Sequence, residues 1–275
     1  MNRLLALFFG LSSAAHVAAA DPIALFEDWA RDEGAEQTAI AILADGAPDA
    51  TSNADTPFDL ASNSKAITAL CVLSLVDEGA LSWDTTLVEV LGEDAPPATL
   101  ADLVTHSAGI APDSTQWRMG FWLNEDEPRH EHVTDIVLNR SRQKGSRGEF
   151  AYNNENYALL GRIIEVATGQ PYEDTCRRRV LDPAGVSGAV SPRFGGFAGW
   201  GGGRMSRADH AALLWHWVGP GGRVGRDPLA LPHIERAQGS YYGLGMNYVG
   251  GGGGFRVCQA GAIAIPSGPK TGARA

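Results

Sequence analysis

The sequence predicts an α+β fold, with strands near both ends of the chain and a helical lobe inserted between them. Three observations predict it. Residues 37–44 and 57–61 carry short strand-like runs. Residues 62 to about 185 read mostly as helix. Residues 241–249 and 254–265 return to strand patterning across a glycine-rich turn. A chain of 275 residues is long enough for one large domain or two lobes around a cleft. The division expected is a signal segment, residues 1–20, then one domain, residues 21–275. Its sheet lobe takes about 21–61 and 190–275, and its helical lobe about 62–189.

The first twenty residues have the pattern of a secretory signal. Arg3 supplies the positive start, Leu4 to Leu11 the short apolar core, and Ala18-Ala19-Ala20 a small-residue cleavage site before Asp21. This predicts export, most simply to a bacterial periplasm. No other apolar stretch is long enough to span a bilayer. Removing Arg3 moves the formal net charge from −10 to −11. An acidic chain without basic clusters argues against nucleic acid and anionic membranes as partners.

Asp21 to Glu33 reads as an amphipathic helix, with Ile23, Phe26 and Trp29 on one side. Gln37 to Ala44 and Pro57 to Ala61 are the early strands. Ala66, Ile67, Ala69, Leu70, Leu73 and Val76 then recur at three and four, as a buried helix requires, and Gly79 is its stop signal. Leu100 to Val104 is a short helix and Glu155 to Ala167 a longer one. Ser206-Arg207-Ala208-Asp209 resembles a capping box before a helix over Ala211 to Val218. Gly219 to Pro232 is a Gly- and Pro-rich loop. Tyr241 to Val249 and Gly254 to Ile265 are strands joined by the Gly250 to Gly253 turn. No internal repeat is evident.

Chemistry concentrates at Ser62-Asn63-Ser64-Lys65. Residues three apart on a helix share a face, so the Lys65 amine can lie beside the Ser62 hydroxyl. A serine is a weak nucleophile until a neighbour takes its proton. At a helix start, backbone N–H groups also favour developing negative charge. All three lysines of the chain follow a serine by three residues, but only Lys65 opens an apolar helix. Tyr152-Asn153-Asn154 is the second element. A phenol can share a proton with a lysine, and an asparagine amide can orient a carbonyl. Thr105-His106-Ser107-Ala108-Gly109 is the third. It mimics the nucleophile elbow of α/β-hydrolases, but a helix precedes it where that elbow needs a strand. His130-Glu131-His132 has no third metal ligand at useful spacing and reads as a solvated face. Cys71, Cys176 and Cys258 are an odd count, which excludes a closed disulfide framework, and Cys71 falls in the apolar helix as a core residue.

Together these segments resemble the penicillin-recognising serine hydrolases of class C β-lactamase-like fold, a family of β-lactamases, D-alanyl-D-alanine carboxypeptidases and esterases. The likeness runs from about Gln37 to about Ile263. It is carried by Phe58 to Lys65, Leu103 to Gly109, Tyr152-Asn153-Asn154 with Tyr157 to Gly161, and Gly201 to Ser206. It implies an antiparallel sheet flanked by helices, with the site between two lobes. It also implies Ser62 as acylated nucleophile, Lys65 as proton partner, Tyr152 as general base or acid and Asn154 as the holder of a substrate amide. No metal or organic cofactor is implied, and the partner is a small-molecule or peptidoglycan-type substrate. The family's third motif, Lys- or His-x-Gly, falls at Gln259-Ala260-Gly261. Gln259 is then expected to point into the cleft near Ser62 and Tyr152, with the Ala262 and Ser62 N–H groups as oxyanion hole. Lys270-Thr271-Gly272 spells an alternative third motif but follows Pro269 near the chain end. Only fourteen residues follow Gly261, so the chain looks C-terminally truncated beside the family. Two readings stand: an exported hydrolase acting through an acyl-enzyme on Ser62, and a non-catalytic relative that at most binds ligand, favoured by the neutral Gln259 and the short C-terminus.

Overall fold

A computed structural model describes residues 21–140 and 143–263. The expected signal segment, Ala264, Ile265 and Lys270-Thr271-Gly272 lie outside the described residues. Helix α1 (Pro22–Asp32) starts where the Asp21 carboxylate accepts from the Ile23 N–H at 2.9 Å, with proline in its first turn. Strands β1 (Ile40–Ala44) and β2 (Ala47–Ser52) form a hairpin through Asp45-Gly46, both at positive φ. That Asp-Gly is a strong hairpin signal, and β2 was absent from the sequence reading.

After β3 (Pro57–Asp59) the chain makes a 3₁₀ turn over Ala61–Asn63 and enters α2 (Ser64–Asp77). Helix α2 is buried nearly all round, so it is a central helix rather than an amphipathic one. Leu70, Cys71, Val72 and Leu73 are fully enclosed, each large aliphatic contributing roughly 1.5–3 kcal/mol by burial. Gly79, at φ 74°, accommodates the left-handed end of the helix. Short helices α3 (Leu87–Leu91) and α4 (Leu100–Val104) each begin with a reciprocal cap, Thr86 with Glu89 and Thr99 with Asp102. Helices α5 (Thr115–Arg118), α6 (His130–Leu138) and α7 (Asn154–Thr168) follow. Helix α7 packs on α2, α4 and α6, and its last turn closes on Gly169 at φ 64°. Helix α8 (Tyr172–Cys176), a π turn over Arg177–Leu181 and α9 (Asp182–Ala184) close the helical lobe. Cys71 and Cys176 are both buried, and burial pushes the Cys176 thiol well above its ordinary value.

Strands β4 (Ala189–Val190) and β5 (Gly203–Ser206) join β3 in a sheet ordered β3-β5-β4. Helix α10 (Arg207–Val218) begins as its sequence predicts: Ser206 Oγ accepts from the Asp209 N–H and donates to the Asp209 carboxylate. It covers β1 and β5. Strands β6 (Ile234–Ala237), β7 (Ser240–Gly243), β8 (Met246–Gly251) and β9 (Gly254–Cys258) form an antiparallel meander. Two strand expectations are corrected here. Tyr241 to Val249 is interrupted at Leu244-Gly245, both at positive φ, which reverses the chain between β7 and β8. A Cβ on Gly245 would stand 2.6 Å from the Ala66 nitrogen, so this turn presses on the backbone that follows Lys65. The last strand ends at Cys258, and residues 259–263 are irregular.

Candidate active site

The approach to Ser62 is fixed by backbone geometry. Ala61 has φ 50°, a left-handed conformation unusual for a residue with a Cβ. Ser64 Oγ donates to the Ala61 carbonyl at 2.7 Å and accepts from the Gly203 N–H at 2.9 Å. The Leu60 N–H donates to the Gly203 carbonyl. The turn carrying Ser62 is therefore tied to β5 from both sides.

Lys65 is 1% exposed, and its Nζ lies 3.2 Å from Ser62 Oγ, 2.8 Å from Asn154 Oδ1 and 2.7 Å from the Trp200 carbonyl. Tyr152 donates its phenol proton to the same Ser62 Oγ at 2.9 Å. Burial pulls the Lys65 pKa down to about 7, with the Asp113 carboxylate partly opposing. A neutral amine has two hydrogens and one lone pair. Here two neighbours, Asn154 Oδ1 and the Trp200 carbonyl, can only accept, which leaves the lone pair for the Ser62 hydroxyl. The Tyr152 pKa is pushed up to about 12 by burial, the Ser62 hydrogen bond opposing and Asp113 adding. Tyr152 is still 45% exposed, on the open side of the group. The arrangement holds a serine oxygen between a proton acceptor and a proton donor.

Tyr152 and Asn154 are held by the Thr105–Gly109 segment. His106, at φ 57°, accepts at Nδ1 from the Asn153 N–H and from Asn156 Nδ2. Its carbonyl accepts from the Ala151 N–H. The His106 ring lies 4.4 Å from that of Tyr152 and 5.0 Å from that of Tyr157. Burial and the Lys65 charge hold its pKa well below the ordinary histidine value, so it stays neutral. Ser107 is buried and meets Thr105 Oγ1, away from this group.

Asp113 and Thr115 were missing from the sequence reading. Asp113 accepts from the Asn154 N–H and from the Thr115 N–H and hydroxyl. Thr115 Oγ1 in turn accepts from Asn154 Nδ2 at 3.0 Å. Asn154 thus spans Lys65 and Thr115, which orients its oxygen on the amine. Asp113-x-Thr115 ahead of α5 was legible as a local turn, but its reach to Asn154 was not. Glu155 secures the loop, accepting from the Ser114 N–H and from Arg140 at 2.6 Å.

The third motif is placed differently from expectation. Gly261 is close: a Cβ there would stand 3.0 Å from the Ser62 nitrogen and 2.6 Å from the Leu60 carbonyl. The next residue, Ala262, is exposed. The Gln259 side chain, however, does not point to Ser62 or Tyr152. Its Nε2 donates to the Gly245 carbonyl at 3.2 Å. It lines a groove of about 350 Å³ with Leu43, Ala211, Trp215 and Phe255. The expected alternation failed because β9 ends at Cys258, one residue before it. Gln259 therefore sets no neutral group against the serine.

The sequence model of the family described as Beta-lactamase matches residues 26–259. "Penicillin-binding protein 4" of Amycolatopsis lactamdurans is 32% identical over 139 residues, covering 48% of this chain and 35% of that protein. This chain therefore matches about a third of that curated relative's length. The penicillin binding protein from Bacillus halodurans superposes with a TM-score of 0.63 at 23% identity, covering 78% of this chain and 76% of that one. The D-stereospecific amidohydrolase from Streptomyces sp. gives a TM-score of 0.64 at 17% identity, with 80% of each chain covered. Those structural likenesses show the β-lactamase/transpeptidase fold of mixed helix and antiparallel sheet. Because the family match takes in every residue gathered around Ser62 Oγ, from Lys65 to Trp200, the chain belongs to the Beta-lactamase family of serine hydrolases.

Proposed function

We propose that the protein is an exported serine hydrolase that opens an ester, amide or β-lactam carbonyl through an acyl-enzyme on Ser62. The single observation that carries this is Ser62 Oγ lying 3.2 Å from Lys65 Nζ and 2.9 Å from the Tyr152 hydroxyl. Ser62 attacks the carbonyl carbon while its proton passes to the Lys65 lone pair. The ammonium so formed keeps Asn154 Oδ1 and the Trp200 carbonyl as acceptors. The carbonyl oxygen, now negative, sits between the Ser62 and Ala262 N–H groups, the second brought near by the close approach of Gly261. When the bond to the leaving group breaks, the Tyr152 phenol protonates it. Lys65 then returns a proton to Tyr152, and water releases the acyl group by the same relay run in reverse. Asn154 acts mainly on Lys65 here, and it keeps its second Nδ2 hydrogen and one Oδ1 lone pair for a substrate amide.

Export rests on residues 1–20. No helix among the described residues is long and apolar enough to cross a membrane. The names of the proteins this chain resembles, a penicillin-binding protein and a D-stereospecific amidohydrolase, support acyl donors of the penicillin and D-configured amide kind. The test is labelling of the purified protein with a fluorescent penicillin and with a fluorophosphonate probe. Wild type and Ser107→Ala should label and Ser62→Ala should not. Undiminished labelling of Ser62→Ala would remove Ser62 from the mechanism.

A further inference from the structure

We propose that His130 is a positioning residue for the proton relay: it holds the Gly199–Trp200 backbone whose carbonyl receives Lys65. This rests on the reading of Lys65 as proton acceptor.

His130 was expected on a solvated face, yet it is 0% exposed. Its Nε2 lies 3.0 Å from the Gly199 nitrogen, and its Nδ1 lies 2.9 Å from Glu165 Oε1. An amide N–H can only donate, so Nε2 is the unprotonated nitrogen and Nδ1–H donates to Glu165. The partner carboxylate thus sets the tautomer that the backbone contact requires.

Gly199 is held at both ends. Its carbonyl accepts from Thr68 Oγ1 at 2.6 Å, and that hydroxyl meets the Tyr172 hydroxyl at 2.7 Å. The next carbonyl along, that of Trp200, takes Lys65 Nζ at 2.7 Å. Two glycines leave space for the imidazole. A Cβ on Gly161 of α7 would stand 2.5 Å from Nε2, and one on Gly199 would stand 2.8 Å from it. The ring also packs edge-on against Tyr172 at 4.9 Å and beside Trp200 at 6.2 Å. Residues 198–202 follow a 3₁₀ turn and belong to no regular strand; the Trp200 and Gly201 N–H groups return to the Phe197 carbonyl, and His130 and Thr68 add the side-chain contacts that hold Gly199 within that turn.

The groups facing His130 are Glu165 from α7, with Arg162 at 3.6 Å from that carboxylate, and Tyr172 from α8. Around Lys65 stand Ser62, Asn154, Tyr152, Tyr157 and the Asp113 charge. A carbonyl acceptor favours the ammonium form of Lys65. Releasing the Gly199 amide lets that carbonyl drift. The amine then becomes harder to protonate and loses its aim at Ser62.

The chain has three lysines, so Lys65 can be followed individually by NMR of ¹³Cε-labelled lysine in the full-length protein. His130→Asn keeps a donor toward Glu165 but removes the acceptor for Gly199. His130→Gln restores an acceptor near the Nε2 position. We expect His130→Asn to lower the Lys65 titration midpoint by about half a pH unit or more. It should also slow kcat by about tenfold at little change in KM. His130→Gln should recover most of both. Thr68→Val, which frees the carbonyl side of the same residue, should move the midpoint in the same direction and serves if His130→Asn does not fold. An unchanged Lys65 midpoint in folded His130→Asn or Thr68→Val overturns the proposal. So does a rate loss that His130→Gln fails to rescue. If the wild type takes no acyl probe, the hydrolase reading fails by itself, and the NMR titration still decides whether His130 positions Lys65.

Discussion

Replacing Lys65 with methionine should shift the balance of stability between variant and wild type with pH, moving it toward wild type as pH rises. The lysine is enclosed, and burial lowers its pKa from 10.5 to about 7. Between those values the unfolded chain carries a proton that the folded protein has shed. Folding stability therefore rises with pH across that window, and below pH 7 the cost of enclosing the ammonium is fully present. Taking about 1.4 kcal/mol per unit, that cost is about 5 kcal/mol at pH 6 and about 2 kcal/mol at pH 9. Methionine has similar reach and no charge, so it removes this pH-dependent cost. Against it stand the Asn154 oxygen and the Trp200 carbonyl, which lose their donor at roughly 1–3 kcal/mol each. Those losses do not vary with pH, so they shift the curve without tilting it. The assay is urea unfolding of wild type and Lys65→Met at half-unit steps from pH 6 to pH 9. The unfolding free energy of the variant relative to wild type should fall by about 3 kcal/mol over that range. A difference that stays flat would show that Lys65 titrates alike in both states, and the reasoning about a neutral proton acceptor would fall with it. Acylation of Ser62 should be lost in the same variant, the usual exchange of stability for a functional charge.

Three further outcomes follow from particular backbone positions. Ala61→Gly relieves the left-handed φ of 50° and should stabilise the fold by up to about 1 kcal/mol, and a loss of stability in the same unfolding assay would deny the strain. Gly245→Ala places a methyl 2.6 Å from the Ala66 nitrogen at φ 77°, so it should destabilise by about 2–4 kcal/mol and slow acylation; near-neutral behaviour would show that the turn can retreat from α2. Gln259→His should leave ester turnover within about twofold, because the side chain meets the Gly245 carbonyl and lines the groove with Ala211 and Trp215, and a tenfold rise would place it at the cleft after all.

What the sequence determined by itself is local. The spacing of Ser62 and Lys65 is set within one turn, so their approach was legible before any tertiary contact. Tyr152 and Asn154 were found the same way, as residues flanking the cap of a helix, Asn153, which accepts from the Glu155 N–H. Central burial of α2, the Ser206 cap on α10 and the glycine turn between β8 and β9 also came from short-range patterning. Tertiary structure alone decided the rest. Asp113 matters because Asn154, forty-one residues on, donates its amide to it. The direction of Gln259 depends on where β9 ends and on which carbonyl lies beside it, and neither is written in a period of two. His130 looked solvated because Glu131 and other charges surround it in the sequence. Burial of one face of α6 against Gly161, Gly199 and Tyr172 made it an internal histidine instead. Hydrophobic periodicity reports which face of an element is covered. It does not report what covers it, and in this protein the polar partners of Lys65 come from segments as many as 135 residues away.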